Sequence, residues 1–314
     1  MIVGLSVVGN ESDVIEAFVR HNLQYLDRIE IITHRPIDGT AEILRALASE
    51  GLPLVVHIAK YPGFRQGEEN TEVAKQILAN SELVSHIVLL DADEFIVAPT
   101  YDFLRQVLPM ALPHTNPGFS WRSYVPILPQ PPHASHLHSW IIHRRVTETV
   151  PIYKIVLTRR FLDDNRLVAE GSHWELYREG ESIHGQPYIS WIREVSLAHF
   201  PVRSVTQLTN KVLIGCWNRR IDSTQSQTQA ASHWQAIYDN LSKGIEITTE
   251  NLSTIGYNYA NLSQPEAFSK ESLVEDPIPR TAVLRYGHLS HTKKGQLLIR
   301  WVESLIDSRR RDHE

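Results

Sequence analysis

The chain has 314 residues, and its content of 42% hydrophobic and 21% charged residues is typical of a soluble globular protein with a sizeable core. The formal net charge of −5 argues against a protein that holds nucleic acid by electrostatics, because such proteins carry a concentrated basic surface. The single cysteine, Cys216, excludes an internal disulfide framework and is compatible with a reducing cytoplasm.

The first hundred residues alternate between strand and helix patterns. Short apolar runs predict strands at residues 2–8, 28–33, 54–58 and 87–90. Apolar residues at helical spacing predict helices at 10–26 with Asn10 or Ser12 as the cap, from the turn at 38–40 to Gly51, and at 68–81. This alternation predicts a parallel sheet with right-handed crossovers, in which ligands bind beyond the carboxyl ends of the strands.

The pattern changes beyond residue 100. A short helix is predicted at 101–108, and the prolines within 109–132 favour a loop or edge structure there. Strands at 153–157, 167–169 and 189–199 precede a helix at 205–217, and an amphipathic helix is predicted at 298–306. We therefore predict a sheet domain over residues 1–217, with halves at 1–100 and 101–217, and a helical C-terminal extension over 218–314.

The most informative motif is Asp91-Ala92-Asp93-Glu94, which directly follows the fourth predicted strand. Three carboxylates within four residues repel one another unless a cation binds beside them. Oxygen ligands suit a hard divalent ion, Mg²⁺ or Mn²⁺, which keeps coordination positions open for substrate phosphates. The alternative is an acidic cluster that is simply solvated at the end of a strand.

A series of sequence blocks occurs in order along the chain. The blocks are Asn10-Glu11, Asp38-Gly39-Thr40, Asn70, Asp91–Phe95, Lys154–Arg159, Gly171-Ser172-His173, and His199–Ser204 followed by Lys211. Together they resemble the family 2-like glycosyltransferases of the GT-A type, and the later blocks look like those of one bacterial subgroup of the family. The resemblance covers residues 1 to 216 and implies a GT-A-like α/β fold, with a mostly parallel, Rossmann-like central sheet flanked by helices.

The resemblance implies transfer of a sugar from a nucleotide diphosphate sugar, most frequently a UDP-sugar, to an acceptor hydroxyl. The departing diphosphate needs a counter-charge, which a divalent metal held by Asp91 and Asp93 would supply. His199 and His173 are candidates for a further metal ligand, because neutral imidazole binds Mn²⁺ well.

The resemblance also marks residues that would surround the donor. Asp38 would accept hydrogen bonds from the base or ribose, and Arg203 and Lys211 would offset diphosphate charge. Several candidates have a structural alternative, such as a turn at Asp38. The candidate donor-binding residues are Val8, Asn10, Glu11, Asp38, Arg65, Asn70, Asp91, Lys154, Arg203 and Lys211.

An inverting reaction, which the resemblance implies, needs a carboxylate that deprotonates the acceptor hydroxyl. The resemblance makes residues 1–100 the nucleotide-sugar-binding half and residues 101–217 the acceptor half, in which Glu170, Glu175 and Glu194 are the candidates. Asp93 is the remaining catalytic candidate, as the metal ligand. The sequence does not distinguish among the three glutamates, and a retaining mechanism stays open.

Two other classes of protein fit the same motif. One is a nucleotide-sugar-binding protein without turnover, and the other is a metal-dependent nucleotidyltransferase or phosphotransferase. Carbohydrate, lipid-linked and protein acceptors all stay open, and nucleic acid is not an expected partner. Without a signal peptide or membrane span we expect a cytoplasmic protein, and Arg309-Arg310-Arg311 after the last predicted helix would allow peripheral contact with the inner face of the membrane.

Overall fold

The computed structural model of the chain is an α/β protein. It describes residues 1–61, 63–127, 140–148, 150–180, 182–186, 189–221, 232–262, 264–279, 282–290 and 299–303. The predicted fold class, a central sheet with a parallel region flanked by helices, is confirmed.

The first four strands form the parallel half of the central sheet. They lie in the order β3-β2-β1-β4, and β1 is buried along its whole length, as expected for a strand covered on both faces. The predicted boundaries are confirmed for the first three strands, and the fourth is displaced by one residue. The strands are β1 (Ile2–Val8), β2 (Arg28–Thr33), β3 (Leu54–Ile58) and β4 (His86–Leu89).

Three helices cover the two faces of this half. Phe18 and Leu44 pack with Ile31 on one face, while Leu78 packs with Ile32 on the other. Ile31 and Ile32 point to opposite sides because side chains alternate along a strand. The helices are α1 (Ile15–Asn22), α2 (Thr40–Ser49) and α3 (Gln66–Asn80).

Helix α1 begins later than predicted, and the predicted capping roles of Asn10 and Ser12 are wrong. The helix is preceded by Val14, which makes no side-chain cap. Asn10 Oδ1 instead accepts from the N–H of Ile37 at 2.8 Å, and the N–H of Ser12 donates to Asp38 at 2.9 Å. The side chains that would have capped the helix therefore make tertiary contacts instead, Asn10 with the loop after β2 and the Ser12 hydroxyl with the Ser290 hydroxyl at 2.9 Å.

Beyond β4 the sheet continues mainly by antiparallel pairing. Strand β8 (Tyr153–Thr158) pairs with β4 and with β6 (Asn116–Val125), and β12 (Ile189–His199) pairs with β5 (Glu94–Val97). The pairing of β6 with β12 is parallel. The prediction of a loop or edge for 109–132 is wrong over Asn116–Val125, a ten-residue strand. Pro117 lies at the second position of this strand, the close run of prolines begins only at Pro126, and buried Phe119 and Tyr124 hold the strand in the core. The elements are β5 (Glu94–Val97), α4 (Tyr101–Val107), β6 (Asn116–Val125), β7 (His143–Arg145), β8 (Tyr153–Thr158) and β12 (Ile189–His199).

A second, three-stranded antiparallel sheet lies between β8 and β12 in the chain. Only its first strand was predicted, because the other two are mostly polar. The strands are β9 (Arg166–Val168), β10 (Glu175–Glu179) and β11 (Ser182–Gln186).

The extension after residue 217 contains helices, as predicted, but it also contributes to the sheet. Strand β13 (Leu273–Glu275) pairs with β7, and α5 (Val205–Ile221) runs past the predicted end at residue 217. The predicted domain boundary stays a prediction. The other helices of the extension are α6 (Ser232–Ser242) and α7 (Thr249–Tyr257).

Part of the predicted terminal helix is present, since residues 299–303 are helical. The rest of that helix and Arg309-Arg310-Arg311 lie outside the described residues. Within the described ranges, none of the helices has the length and apolar character needed to cross a membrane. The cytoplasmic location and the peripheral membrane contact stay predictions.

Residues 285–290, which we term the strap, lie against the loops after β1 and β2. The backbone N–H groups of Arg285 and Tyr286 each donate to the Glu16 carboxylate at 2.8 Å. A Cβ built on Gly39 would lie 1.8 Å from the carbonyl oxygen of Leu289. The strap can therefore approach the turn before α2 only because residue 39 has no side chain.

We expect Gly39→Ala to displace the strap. The φ of Gly39 is −84°, which alanine adopts freely, so the effect is a steric clash with Leu289 and not backbone strain. Amide hydrogen exchange of Arg285 and Tyr286 should accelerate by about tenfold or more. Gly287→Ala is the matched control, since its Cβ would meet no atom within 4 Å. Equal protection in the two variants would contradict the expectation.

Candidate active site at the carboxyl ends of the parallel strands

The acidic motif lies in the turn between β4 and β5. The N–H of Leu90 donates to the Leu5 carbonyl at 3.0 Å, which holds the start of the turn against β1. The N–H of Glu94 donates to the Asp91 carbonyl at 3.0 Å and closes the turn. Asp91 and Asp93 thus lie at the carboxyl ends of parallel strands, where open α/β sheets bind ligands.

Asp91 is held by two side chains from different parts of the chain. Its Oδ1 accepts from Gln66 Nε2 at 2.6 Å, and its Oδ2 accepts from Lys154 Nζ at 2.7 Å. Lys154 also donates to the Gly171 carbonyl at 2.7 Å, and its side chain is 1% exposed. Burial lowers the pKa of Lys154, but Asp91 and Glu94 outweigh burial and keep that pKa above its ordinary value.

Glu94 shapes the turn. Its Oε2 accepts from the N–H of Asp91 at 2.7 Å, and its Oε1 accepts from Trp121 Nε1 at 2.6 Å. The side chain is fully buried, and burial raises its pKa well above the ordinary value. Glu94 therefore connects the motif to β6.

Asp93 is surrounded by cations from the segment after β12. Its Oδ2 accepts from Lys211 Nζ at 2.8 Å and from Arg203 Nη1 at 3.5 Å. Burial would raise the pKa of Asp93, but these cations outweigh burial and hold the pKa well below its usual range. The structure thus brings three of the predicted site residues into direct contact.

Arg203 joins Asp93 to the loop after β1. Its Nη2 donates to Glu11 at 2.7 Å, and its Nε donates to Asp13 at 2.8 Å. Burial raises the pKa of Glu11 to about 7, although Arg203 and Lys211 act to lower it. The predicted donor residues Glu11, Arg203 and Lys211 therefore belong to one ionic network centred on the buried Arg203 and Asp93.

His199 lies on the other side of Asp93. Its Nε2 is 3.7 Å from Asp93 Oδ1, which is too long for a hydrogen bond, and its ring stacks on Trp121 at 3.8 Å. Burial lowers the pKa of His199 to about 3, so the imidazole is neutral at physiological pH. Within the described part of the chain its Nδ1 has no hydrogen-bond partner.

The pair formed by Asp93 and His199 fits a divalent ion. A carboxylate oxygen and a neutral imidazole nitrogen that face each other without a hydrogen bond form a donor set suited to Mn²⁺. The described residues hold no group of three or more His, Cys, Asp or Glu side chains around a common point. Such an ion would therefore take its other ligands from water and from substrate phosphates, as Mg²⁺ usually does.

The remaining histidine candidate, His173, lies near the same cluster. Its Nδ1 is 2.6 Å from the Tyr153 carbonyl, so Nδ1 carries the proton and donates. Burial, together with the Lys154 ammonium, lowers the pKa of His173 to about 4. Its metal role stays a prediction.

The other donor candidates make contacts within the protein. Both Asp38 oxygens are occupied, by Ser12 N–H and by the backbone and hydroxyl of Thr40, which matches the turn alternative. The donor-binding roles of Asp38 and of the four residues that follow stay predictions. In the structure, Val8 accepts from the His34 N–H at 2.7 Å, Asn10 accepts from Ile37, Arg65 pairs with Glu68 at 3.5 Å, and Asn70 donates to Ser172 at 3.1 Å.

The three candidate bases lie in different environments. Glu170 Oε1 accepts from the Gly67 N–H at 3.0 Å, beside the loop that receives Lys154. Glu175 is fully buried and pairs with Arg166 at 2.7 Å, whereas Glu194 is exposed on β12. The choice of base stays a prediction.

Sequence reasoning missed Gln66, Trp121 and Tyr259. Gln66 holds Asp91, Trp121 holds Glu94, and the Tyr259 ring lies 5.6 Å from that of His199. Trp121 fell in a predicted loop and Tyr259 in the predicted extension. No motif marked these side chains, because their partners are distant in the chain.

No known family profile matches the chain, and no curated protein sequence matches it. Three solved structures that resemble it in part are the mannosyltransferase PcManGT from Pyrobaculum calidifontis in complex with GDP-Man and Mn²⁺, glucosyl-3-phosphoglycerate synthase from Mycobacterium tuberculosis in complex with Mn²⁺, UDP and glucosyl-3-phosphoglycerate, and HddC from Yersinia pseudotuberculosis.

The likeness to these structures is limited. The mannosyltransferase is 20% identical, with 40% of this chain and 35% of that chain covered and a TM-score of 0.27. The synthase is 15% identical, with 38% and 43% covered and a TM-score of 0.25. HddC is 10% identical, with 61% and 90% covered and a TM-score of 0.32. The chain therefore spans less than half the length of the mannosyltransferase and less than half the length of the synthase.

Proposed function

We propose that the chain is a metal-dependent glycosyltransferase that moves a sugar from a nucleotide diphosphate sugar to an acceptor hydroxyl, with inversion at the anomeric carbon. The proposed donor is a UDP-sugar. The observation that carries the proposal is the surroundings of Asp93. At the ligand-binding edge of the sheet, Asp93 faces the buried cation Arg203, the half-buried cation Lys211 and one neutral imidazole, His199. This is the charge arrangement that a departing diphosphate needs.

Each member of this group has a definable role in the proposed reaction. Asp93 and His199 would hold the divalent ion, which when bound supplies a Lewis acid for the diphosphate oxygens. Lys211 would offset phosphate charge, and Arg203 keeps Asp93 in place through its bonds to the loop after β1. Lys154 and Gln66 orient Asp91 for the ribose or the metal.

An aromatic side chain supports a nucleotide donor at this edge. Phe64 is 37% exposed and its ring lies 5.5 Å from that of His34, just beyond the end of β2. Arg65, next to it, lies over the Tyr61 ring at 5.4 Å. We propose that a nucleobase stacks on Phe64, because an exposed ring beside polar loops offers a flat apolar surface.

The proposal is tested by thermal unfolding with UDP, GDP and ADP, each with and without Mn²⁺. One nucleoside diphosphate should raise Tm only when Mn²⁺ is present, and at about 100 times its Kd it would add about 2.7 kcal/mol to the free energy of unfolding. A chain whose Tm is unaffected by every nucleotide under both conditions would contradict the donor site.

Product analysis separates the proposed reaction from its alternatives. Metal-dependent release of the nucleoside diphosphate from its sugar is expected of a glycosyltransferase. Binding without release would indicate a non-catalytic donor-binding protein. A nucleotidylated or phosphorylated product with no sugar transferred would indicate the nucleotidyltransferase or phosphotransferase.

A further inference from the structure

We infer that the acceptor is a neutral carbohydrate chain that lies along aromatic side chains leading from Asp93 to the protein surface. This inference rests on the proposed function, and it names the acceptor class that the sequence left open. The residues concerned, which we term the aromatic strip, are Trp121, Tyr153, His173, Trp174 and Trp191.

The aromatic strip is continuous with the metal-binding pair. The ring of His199 stacks on Trp121 at 3.8 Å, and Trp121 contacts His173 at 5.8 Å. From His173 the contacts divide, with Trp174 at 6.0 Å and Tyr153 at 6.3 Å. Tyr153 then meets Trp191 edge to face at 4.8 Å.

The pairing of three strands brings Tyr153 and Trp191 together. Strand β6 lies between β8 and β12, with Ser120 opposite Tyr153 and Gly118 opposite Trp191. Gly118 and Ser120 are two residues apart, so all four residues point to one face. Trp121 points to the other face, and His173, which contacts both Trp121 and Tyr153, connects the two parts of the aromatic strip. Because Gly118 and Ser120 are small, the two large rings meet across β6.

The outer end of the aromatic strip is exposed. Trp191 is 50% exposed and Trp174 is 41% exposed, while Trp121 and Tyr153 are half-buried. A single exposed apolar side chain is ordinary, but two exposed indoles connected to a candidate active site indicate a binding surface. Trp and Tyr are the side chains that proteins favour for such contacts.

The chemistry of the aromatic strip favours a neutral sugar. Its flat rings offer apolar faces that match the C–H face of a pyranose, and the indole N–H and phenol O–H groups suit sugar hydroxyls. The nearby Lys154 ammonium is buried and paired with Asp91, so it adds no free charge to the aromatic strip. An acyl chain would favour an aliphatic groove.

Calorimetric titration of the full chain tests the inference, with neutral hexasaccharides of glucose, mannose and N-acetylglucosamine as probes. We expect at least one hexasaccharide to bind, and Trp191→Ala and Trp174→Ala each to weaken that binding by about tenfold. Trp191→Phe should recover most of the affinity, because it keeps an aromatic face. Ile58→Ala is the matched control, since Ile58 is 86% exposed on β3, at the far edge of the sheet.

Three outcomes would overturn the inference. The first is that no hexasaccharide binds at millimolar concentration. The second is that wild type and both tryptophan variants bind the hexasaccharide equally well. The third is that the tryptophan variants lose binding to phosphatidylglycerol vesicles or to a peptide and not to a hexasaccharide. Failure of the proposed function is separable, because it concerns wild-type donor binding. If UDP and Mn²⁺ bind but no hexasaccharide does, the inference fails and the proposed function stands. The reverse result would leave a carbohydrate-binding protein without a donor site.

Discussion

Asp93→Asn is expected to lower sugar transfer and metal-dependent donor hydrolysis by about a hundredfold to a thousandfold, the range seen when one preorganised electrostatic group is removed from an active site. An amide keeps the size of the side chain but loses the charge that would hold a divalent ion with His199. The rise in Tm that we expect from a nucleoside diphosphate with Mn²⁺ should be lost as well.

The effect on chemistry must be separated from an effect on folding. Asp93 is 3% exposed and balances Lys211 and Arg203, so the variant also needs an unfolding curve without ligand. Glu42→Gln is the matched control, because Glu42 is an exposed carboxylate paired with Arg45 on α2. A folded Asp93→Asn protein that hydrolyses donor at the wild-type rate in the presence of Mn²⁺ would refute the role of Asp93.

Arg203→Met is expected to have the largest effect on stability, lowering the free energy of unfolding by about 3–5 kcal/mol, as when one partner of a buried ion pair is removed. Arg203 is 3% exposed and contacts the carboxylates of Glu11, Asp13 and Asp93. Methionine fills similar space, so the loss arises from leaving these carboxylates without their main cation. Urea unfolding measures the difference.

Arg45→Met provides the same substitution in an exposed pair. The side chain of Arg45 is 72% exposed and lies 3.3 Å from Glu42, so we expect a change below about 1 kcal/mol. Arg203→Lys should fall between the two, because lysine keeps the charge but cannot span several carboxylates with a rigid fork. Equal losses from Arg203→Met and Arg45→Met would show that the buried network does not stabilise the fold.

Periodicity predicted the first four strands and the first three helices well, because β1, β2 and β4 are buried apolar runs and each helix has one apolar side. The prediction failed where residues with a helical or loop-like local pattern make tertiary contacts that the pattern does not indicate. Residues 10–14 look like the start of a helix, yet Asn10 and Ser12 are bonded to the loop after β2. Strand β6 was obscured by the prolines that follow it, and β13 by its shortness and distance from β7.

The candidate site shows the same division. Asp91 and Asp93 were found because crowded carboxylates after an apolar strand form a local signal. Glu94 lies in the same motif, but its role in bonding Trp121 depends on β6. The cation that the motif was expected to need is partly provided by Lys154, Lys211 and Arg203. No spacing rule relates those residues to the motif.

The amino-acid sequence by itself determined the α/β class, the parallel half of the sheet and the position of the acidic turn, because these depend on apolar periodicity within short segments. The sequence resemblance named residues 11, 154, 203 and 211 as candidates for the same site, but the tertiary structure decided their contacts with that turn, and it alone added Gln66 and Trp121. Several of these contacts join residues more than fifty positions apart in the chain. The side chains that contact Asp91-Ala92-Asp93-Glu94 or its partners belong to residues 11, 66, 121, 154, 203 and 211. Contacts of that kind follow from strand order and packing, so they are set by the folded chain as a whole.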